Sequence, residues 1–397
     1  MESCFDKQWD RWDTNSRKWV FTKDPSSAVY TECEKDEIIP MWVADMDFAT
    51  PDCVINAIKK RLEHPILGYT VLPDEYINAI ASWQERRYNI KGITKANILY
   101  QNSVLGGLAS AIKVFTMPGD YIVTNQATYI GFQNTVKDLG RNLAFSDTYL
   151  DEDGIYRMDF EQMEKTIVDN KCTMMIFCSP HNPTGRVWEK WEIEKIVSLC
   201  DKYNLILFSD EIWADFVMED GIKHIPTQSV NDTAKQITIA SYAPNKTFNL
   251  ASLIGAYTIC YNPFINSRLQ RAGDSTHYNN PNILTITACI GAYNDGAQWV
   301  DELIPYIRKN QEYMYDFFMT RKGVKAYKPQ GTYNMWVDAA ECGKDMDTVI
   351  RELLKVGVVV NDGRPFRGPT HLRFNLACPF ENVKRACEKM KSVFEEK

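Results

Sequence analysis

The sequence predicts an α/β fold: a largely parallel sheet flanked by helices, followed by a smaller α+β domain. Two observations carry this expectation. Over about two hundred residues, short apolar runs of the kind that form buried strands alternate with helical stretches, as in a parallel sheet with crossover helices. Past residue 300 or so, long amphipathic helices interleave with short strands instead. In chain order, strands are expected at 98–100, 121–124, 174–178, 205–209, 237–240 and 256–260, with helices at 107–116 and 188–203 among them. In the second domain, helices are expected at 299–322 and 345–356, and strands near 335–337 and 372–376.

Composition narrows the function classes. The 397 residues carry 45 Lys and Arg against 52 Asp and Glu, a formal charge of −7. The basic residues are scattered rather than gathered into an arm or stripe, so a dedicated nucleic-acid binder is not expected. A chain that is 45% hydrophobic and 12% aromatic is not a disordered one. Eleven cysteines, an odd number with no C-x-x-C, fit neither a disulfide framework nor a common zinc pattern and read as free thiols of a cytoplasmic protein. His64, His224, His277 and His371 fit no metal spacing, so no metal is expected. The N-terminal segment is charged and aromatic without a signal-like apolar core, and the longest apolar runs are too short to span a bilayer.

In an open α/β sheet, ligands bind at the carboxyl ends of the strands, so chemistry is sought just after each apolar run. Those positions are polar: QNSVLGGL after 98–100, CSPHNPTG after 174–177, SDEIW after 205–208 and SYAPNKTFN after 237–240. The run LILFSDE resembles a Walker B strand, but no G-x-x-x-x-G-K-[ST] or G-x-G-x-x-G accompanies it, so phosphoryl transfer and nicotinamide chemistry lack their anchors. Asn182-Pro183-Thr184-Gly185 fixes a turn that projects an amide inward. Asp210 follows Asn182 by 28 residues, and Lys246 follows Asp210 by 36. A lysine in a polar turn after a strand is placed for partial desolvation, which lowers its pKa toward nucleophilic use. Each signal is weak by itself; their joint order is specific.

With these motifs the chain resembles, over essentially its whole length, the fold-type I pyridoxal-phosphate enzymes of the class I/II aminotransferase superfamily. Within them it is similar to the carbon–sulfur β-lyase branch, the MalY/PatB-type cystathionine β-lyases. The residues that carry the resemblance are FDKQWDRWDTNSRKW at 5–19, MWVADMDFATP at 41–51, GYT at 68–70, CSPHNPTGRVW at 178–188, SDEI at 209–212, PNKTFNLASL at 244–253, NDG at 361–363 and LRFNLACP at 372–379. The resemblance implies an aspartate-aminotransferase-like fold with a large cofactor-binding domain at 46–289 and a small domain made of 1–45 and 290–397. It implies that pyridoxal 5'-phosphate is held covalently by Lys246, which then removes the substrate's Cα proton. Asp210 would keep the ring nitrogen protonated, Asn182 would bond the ring hydroxyl and Tyr129 would stack on the ring. Ser103 and the amides of Val104 and Leu105 would bind the phosphate at a helix N-terminus, and Tyr69 would reach that phosphate from the other subunit of a homodimer. Arg373 would pair with the substrate carboxylate in a bidentate manner, beside the backbone of Ala44.

Three positions depart from the family pattern. Trp213 stands where relatives usually carry tyrosine or histidine near the ring hydroxyl, and an indole donates one hydrogen bond but accepts none. Asn245 replaces a usual serine, with an amide that can still donate to the phosphate. Ile254 occupies the place of a phosphate-binding arginine found in many aminotransferases, which weighs toward a lyase. The leading expectation is therefore a β-lyase that cleaves cysteine S-conjugates to a thiol, pyruvate and ammonia. An amino-acid aminotransferase is the alternative, and a cofactor-bound regulatory protein with little turnover is a third reading.

Overall fold

The computed structural model describes residues 3–397, which fall into two compact units. The larger comprises Thr50–Asn182 and Arg186–Asp301, the smaller, among the described residues, 3–49, Pro183–Gly185 and Glu302–Lys397. Among the described residues no helix is long and apolar enough to cross a membrane.

Seven strands form the sheet of the larger unit: β1 (Ile98–Gln101), β2 (Tyr121–Asn125), β3 (Asn142–Ser146), β4 (Met174–Cys178), β5 (Ile206–Asp210), β6 (Thr238–Tyr242) and β7 (Ala256–Ile259). Their spatial order is β1-β7-β6-β5-β4-β2-β3. β7 runs antiparallel to both neighbours, and the other pairs are parallel. The expected largely parallel sheet is thus present, and the six expected strands lie within a residue or two of their places. β4 is buried at every residue, which is why it reads as an unbroken apolar run. The edge strand β3 gives no such signal, because its buried positions are an alanine and a serine, Ala144 and Ser146.

The helices owe their ends to local chemistry. α1 (Asp74–Tyr88) opens on Asp74 and Glu75 and closes on Arg86 and Arg87, charges that suit the two ends of the helix dipole, and stops at Asn89 with φ 59°. α2 (Val104–Phe115) is capped by Ser103, whose Oγ accepts a hydrogen bond from the Gly106 amide. α3 (Ile130–Asp138) begins directly after Tyr129. α4 (Lys190–Lys202) buries Ile193, Ile196, Val197 and Cys200, one helical stripe, in an apolar cluster with Phe177 of β4 and Leu207 of β5. Lys246 lies on α5 (Pro244–Thr247), a single turn started by proline.

The smaller unit holds a four-stranded antiparallel sheet of β8 (Lys325–Ala326), β9 (Asn334–Asp338), β10 (Asn361–Asp362) and β11 (His371–Asn375), in the order β8-β9-β11-β10. Two amphipathic helices, α6 (Met346–Lys355) and α7 (Phe380–Met390), bury Val349, Leu353, Val383 and Met390 in one core with Val337 and Phe374 of the sheet. In this unit Gly185 has φ +73°, and a Cβ there would lie 2.5 Å from Pro329 Cβ and 2.8 Å from the Gly331 carbonyl oxygen. The Gly185 carbonyl accepts from the Gly331 amide at 2.7 Å, so the fourth residue of Asn182-Pro183-Thr184-Gly185 has to be glycine.

The packing of α4 on the sheet yields a direct test. Ile196 is fully buried, and Ile196→Ala is expected to cost about 2–5 kcal/mol in denaturant unfolding. A loss below about 1 kcal/mol would mean that the α4 stripe is not part of a close-packed core.

Candidate active site

Parallel strands deliver their carboxyl ends to one edge of the sheet. Ser103 follows β1, Tyr129 follows β2, Asn182 follows β4, Asp210 ends β5, and Asn245 and Lys246 follow β6. Asp210 lies in register between Cys178 and Ser241, so the strand ends that carry Asn182 and Lys246 flank it on either side. The fold therefore gathers these expected residues at one sheet edge.

Asp210 is 5% exposed, and its Oδ1 accepts from the Ile212 amide at 3.0 Å. Burial pushes this carboxyl up to about 7 and the neighbouring Glu211 adds to the rise, against the opposing pull of the Ile212 amide and the Lys246 charge. Lys246 Nζ lies 5.3 Å from the ring centroid of Trp213, an indole that is itself buried. Ser241, the register neighbour of Asp210, has a buried Oγ with no hydrogen-bond partner.

Glu211, one residue on, is treated in the opposite way. Its oxygens meet His224 Nε2 at 2.8 Å, the Tyr242 hydroxyl at 2.7 Å, and the Ser209 hydroxyl and Thr227 amide at 3.0 Å each. Burial works to raise its pKa, but these donors outweigh it and hold the carboxyl below its ordinary value. Asp215 accepts from Tyr88 at 2.5 Å and from the Thr247 hydroxyl at 2.7 Å. Sequence reasoning missed both networks. Their donors come from α1 and from residues up to 127 positions away, and no local motif announces them.

At the opening of α2, Val104 is buried and Leu105 half-buried. Tyr129 packs its ring where Gly131 has no side chain: a Cβ at 131 would lie 2.4 Å from Tyr129 Cε1 and 3.0 Å from Leu105 Cδ1. This glycine brings the Tyr129 ring alongside the Ser103–Leu105 turn. Asn182 is 5% exposed, and its backbone N–H, not its side-chain amide, donates to the Cys178 sulfur. Ile254 takes φ 46°, strained for a β-branched residue, and leaves its side chain 56% exposed. Tyr69 is fully exposed, in a segment without helix or strand, so within this chain the fold does not bring it to the other residues.

Arg373 and Ala44 belong to the smaller unit, where the structure places them in one corner. Arg373 Nη2 donates to the Trp42 carbonyl at 3.1 Å and to Asn361 Oδ1 at 2.6 Å, with the guanidinium 4.5 Å above the Phe366 ring. Asn375 Nδ2 donates to the carbonyls of Val43 at 2.5 Å and Asp45 at 2.6 Å, and the Tyr333 hydroxyl donates to the Ala44 carbonyl at 2.8 Å. The same stretch is tied down by charge. Lys18, wholly buried, meets Asp47 at 2.6 Å, and Arg11 meets Asp47 at 2.5 Å and Asp45 at 2.8 Å. Burial opposes the Arg11 charge, yet these carboxylates outweigh it and raise its pKa. The segments 5–19, 361–363 and 372–379 carry the resemblance, and their holding side chains, Arg11, Lys18, Asn361 and Asn375, received no role from sequence.

The state of Asp210 sets a pH signature. Its folded pKa of about 7 lies above the ordinary 3.8, so between these values the folded, cofactor-free protein keeps a proton that the unfolded chain releases. The contribution of this residue to stability therefore falls as pH rises through that window and is level above it. Asp210→Asn removes the dependence. The cofactor-free variant should gain stability relative to the unmodified protein between about pH 4 and pH 8, by up to about 4 kcal/mol. A constant difference across that range, measured by denaturant unfolding, would show that burial does not burden this carboxyl.

Comparison with known proteins places this geometry. The family model "Aminotransferase class I and II" matches residues 36–390. Cystathionine beta-lyase PatB of Bacillus subtilis is 33% identical over 98% of this chain and 99% of its own. Cystalysin from Treponema denticola, whose crystal structure contains a pyridoxal 5'-phosphate cofactor, is similar with a TM-score of 0.92 and 31% identity, covering 99% of both chains. A PLP-bound putative aminotransferase from Clostridium difficile 630 has a TM-score of 0.91 and 33% identity over 98% of this chain and 99% of its own. The chain belongs to the class I and II aminotransferase family.

Proposed function

We propose that the protein is a pyridoxal-phosphate-dependent carbon–sulfur β-lyase that cleaves cysteine S-conjugates of the L-cystathionine type to a thiol, pyruvate and ammonia. The observation that carries this reading is the buried Asp210 under the charge of Lys246 at the sheet edge, in a chain that matches a cystathionine β-lyase from end to end. The donor set fits the cofactor. A carboxyl raised by burial gains most from a basic ring nitrogen, and the Ser103–Leu105 helix opening suits a phosphate. The Asn182 amide suits a ring hydroxyl, Asn245 adds a donor beside the lysine, and the flat face of Tyr129 suits a ring.

When bound, the cofactor supplies an electron sink for the pair left on the substrate's Cα. Lys246 would hold it covalently and, once freed, would be the base positioned to take the Cα proton. The carbon–sulfur bond then breaks with its electron pair leaving on sulfur, and the Lys246 ammonium returns the proton there. Water completes the release of pyruvate and ammonia. Trp213 walls the amine with an indole that exchanges no proton. In the smaller unit, Arg373 offers the planar, pre-oriented guanidinium that suits a substrate carboxylate, beside the backbone of Ala44.

The working unit in this reading is a homodimer in which Tyr69 of each chain reaches the phosphate held by the other. Supporting it, Ile66, Leu67, Tyr69 and Val71 lie exposed together in one irregular segment, an apolar surface that a single chain leaves uncovered. Eleven free cysteines favour a cytoplasmic setting. An aminotransferase is the second reading, favoured by the likeness to the putative aminotransferase.

On mixing with L-cystathionine and no keto acid, the protein should release pyruvate continuously. Conversion of the cofactor to its pyridoxamine form without pyruvate would establish the transaminase instead. Lys246→Ala should lower the rate by at least about 10³-fold and abolish the covalently bound cofactor's absorbance. Arg373→Ala should raise KM by about 10- to 100-fold, and an unchanged KM would remove Arg373 from the site.

A further inference from the structure

We propose that Asp215 is a positioning residue for Lys246 and acts through the Thr247 hydroxyl. The inference rests on the reading above, in which Lys246 carries the cofactor. α5, the element that bears Lys246, is four residues long, far too short to hold its geometry by helical backbone bonds alone. Its own closures are backbone bonds from the Phe248 amide to the Pro244 carbonyl and from the Leu250 amide to the Asn245 carbonyl, each 2.9 Å. Thr247 adds a side-chain bond, its Oγ1 donating to Asp215 Oδ2 at 2.7 Å. Both partners are buried, at 1% and 8% exposure, so water competes little for the bond.

Asp215 is itself held. Its other oxygen accepts from the Tyr88 hydroxyl at 2.5 Å, and Arg87 Nε lies 3.7 Å from that same oxygen. Arg87 is held further by Asp301 at 2.6 Å and by the face of Trp83, its guanidinium 5.3 Å from the ring centroid. The C-terminal end of α1 therefore anchors a carboxylate whose second oxygen grips the turn of the active lysine.

Trp213, whose indole lies under Lys246 Nζ, is two residues before Asp215, and Lys246 is one residue before Thr247. The bond between Asp215 and Thr247 thus clasps the two backbone segments at the point that sets the separation of amine and indole. Removing it frees the lysine turn without touching any reacting group. A misplacement of about 1 Å at a reacting group costs up to about 100-fold in rate.

Thr247→Val and Thr247→Ser in the cofactor-loaded enzyme separate positioning from stability, because only serine keeps the hydroxyl. Thr247→Val should bind cofactor at the unmodified stoichiometry, lose about tenfold or more in kcat with KM within about twofold, and shift the pH midpoint of the bound cofactor's visible absorbance. Thr247→Ser should restore both values. Asp215→Leu, which removes the acceptor oxygens, should match the loss of Thr247→Val, and the double variant should be no worse than either single one, as for two ends of one interaction. Unchanged kcat and midpoint in Thr247→Val, or equal losses in Thr247→Val and Thr247→Ser, would overturn the proposal. Borohydride reduction marks where the functional reading stands: cofactor fixed on Lys246 with an unaffected Thr247→Val sinks this inference alone. No adduct on Lys246 in the unmodified enzyme sinks both.

Discussion

A carboxyl buried at the end of a strand is the constraint from which the rest of this architecture follows. An ionised carboxylate out of water costs several kcal/mol unless donors or charges compensate it. The end of β5 and the segment after it carry three acids, Asp210, Glu211 and Asp215, all at least nine-tenths buried, and the fold treats them differently. Glu211 is saturated by His224, Tyr242, Ser209 and Thr227, and Asp215 by Tyr88 and Thr247. Asp210 receives one backbone amide and the more distant charge of Lys246. Neighbouring carboxyls pushed in opposite directions by their surroundings mark a division of labour. The satisfied ones hold the scaffold, and in the proposed reading the under-compensated one meets a cationic ring that the chain itself does not supply.

The smaller unit solves the same electrostatic problem for a backbone rather than for a ligand. Lys18 and Arg11 against Asp45 and Asp47 form a closed set of two positive and two negative charges around residues 42–47. Removing one member would strand its partners, a loss of about 3–5 kcal/mol for a buried pair, so the set specifies one conformation of the stretch. With Asn375 and Tyr333 bonding three successive carbonyls, the peptide groups beside Arg373 are held as firmly as a strand. That rigidity suits a residue whose value lies in the plane of its guanidinium, because a bidentate pair rewards fixed orientation.

What could be read from the sequence follows from how local each physical cause is. Strands buried on both faces, such as β4, announce themselves because every residue is apolar, whereas β3 buries an alanine and a serine and does not. The shared position of Asn182, Asp210 and Lys246 at one sheet edge was legible because each stands at or just beyond the end of a strand. The clasp between Asp215 and Thr247, the donors around Glu211 and the charge cage around Asp47 were not. Apart from Ser209, two residues before Glu211, each joins residues separated by 13 to 36 positions and depends on which elements the fold sets against one another. Trp213 lies between these cases: its identity was conspicuous in the sequence, but its place beneath the Lys246 amine is a product of the fold.

That place bears on the choice between elimination and transamination. An indole face near an amine favours the ammonium form by about 0.5–2 kcal/mol, more when water is excluded, and offers no proton of its own to exchange. A tyrosine or histidine there would be a second acid near the ring, whereas Trp213 leaves proton movement at this wall to Lys246. In the proposed reading both reactions begin with the same transfer from Cα to that lysine, so the protein's acid–base groups do not separate them. The separation falls to the substituent on Cβ. A thiolate accepts an electron pair readily and takes the proton that Lys246 already holds, so a substrate with sulfur at Cβ can leave by elimination before the proton returns to carbon. In the proposed reading the outcome is then set by which Cβ substituents the substrate carries, and Trp213 favours no other outcome by acid catalysis.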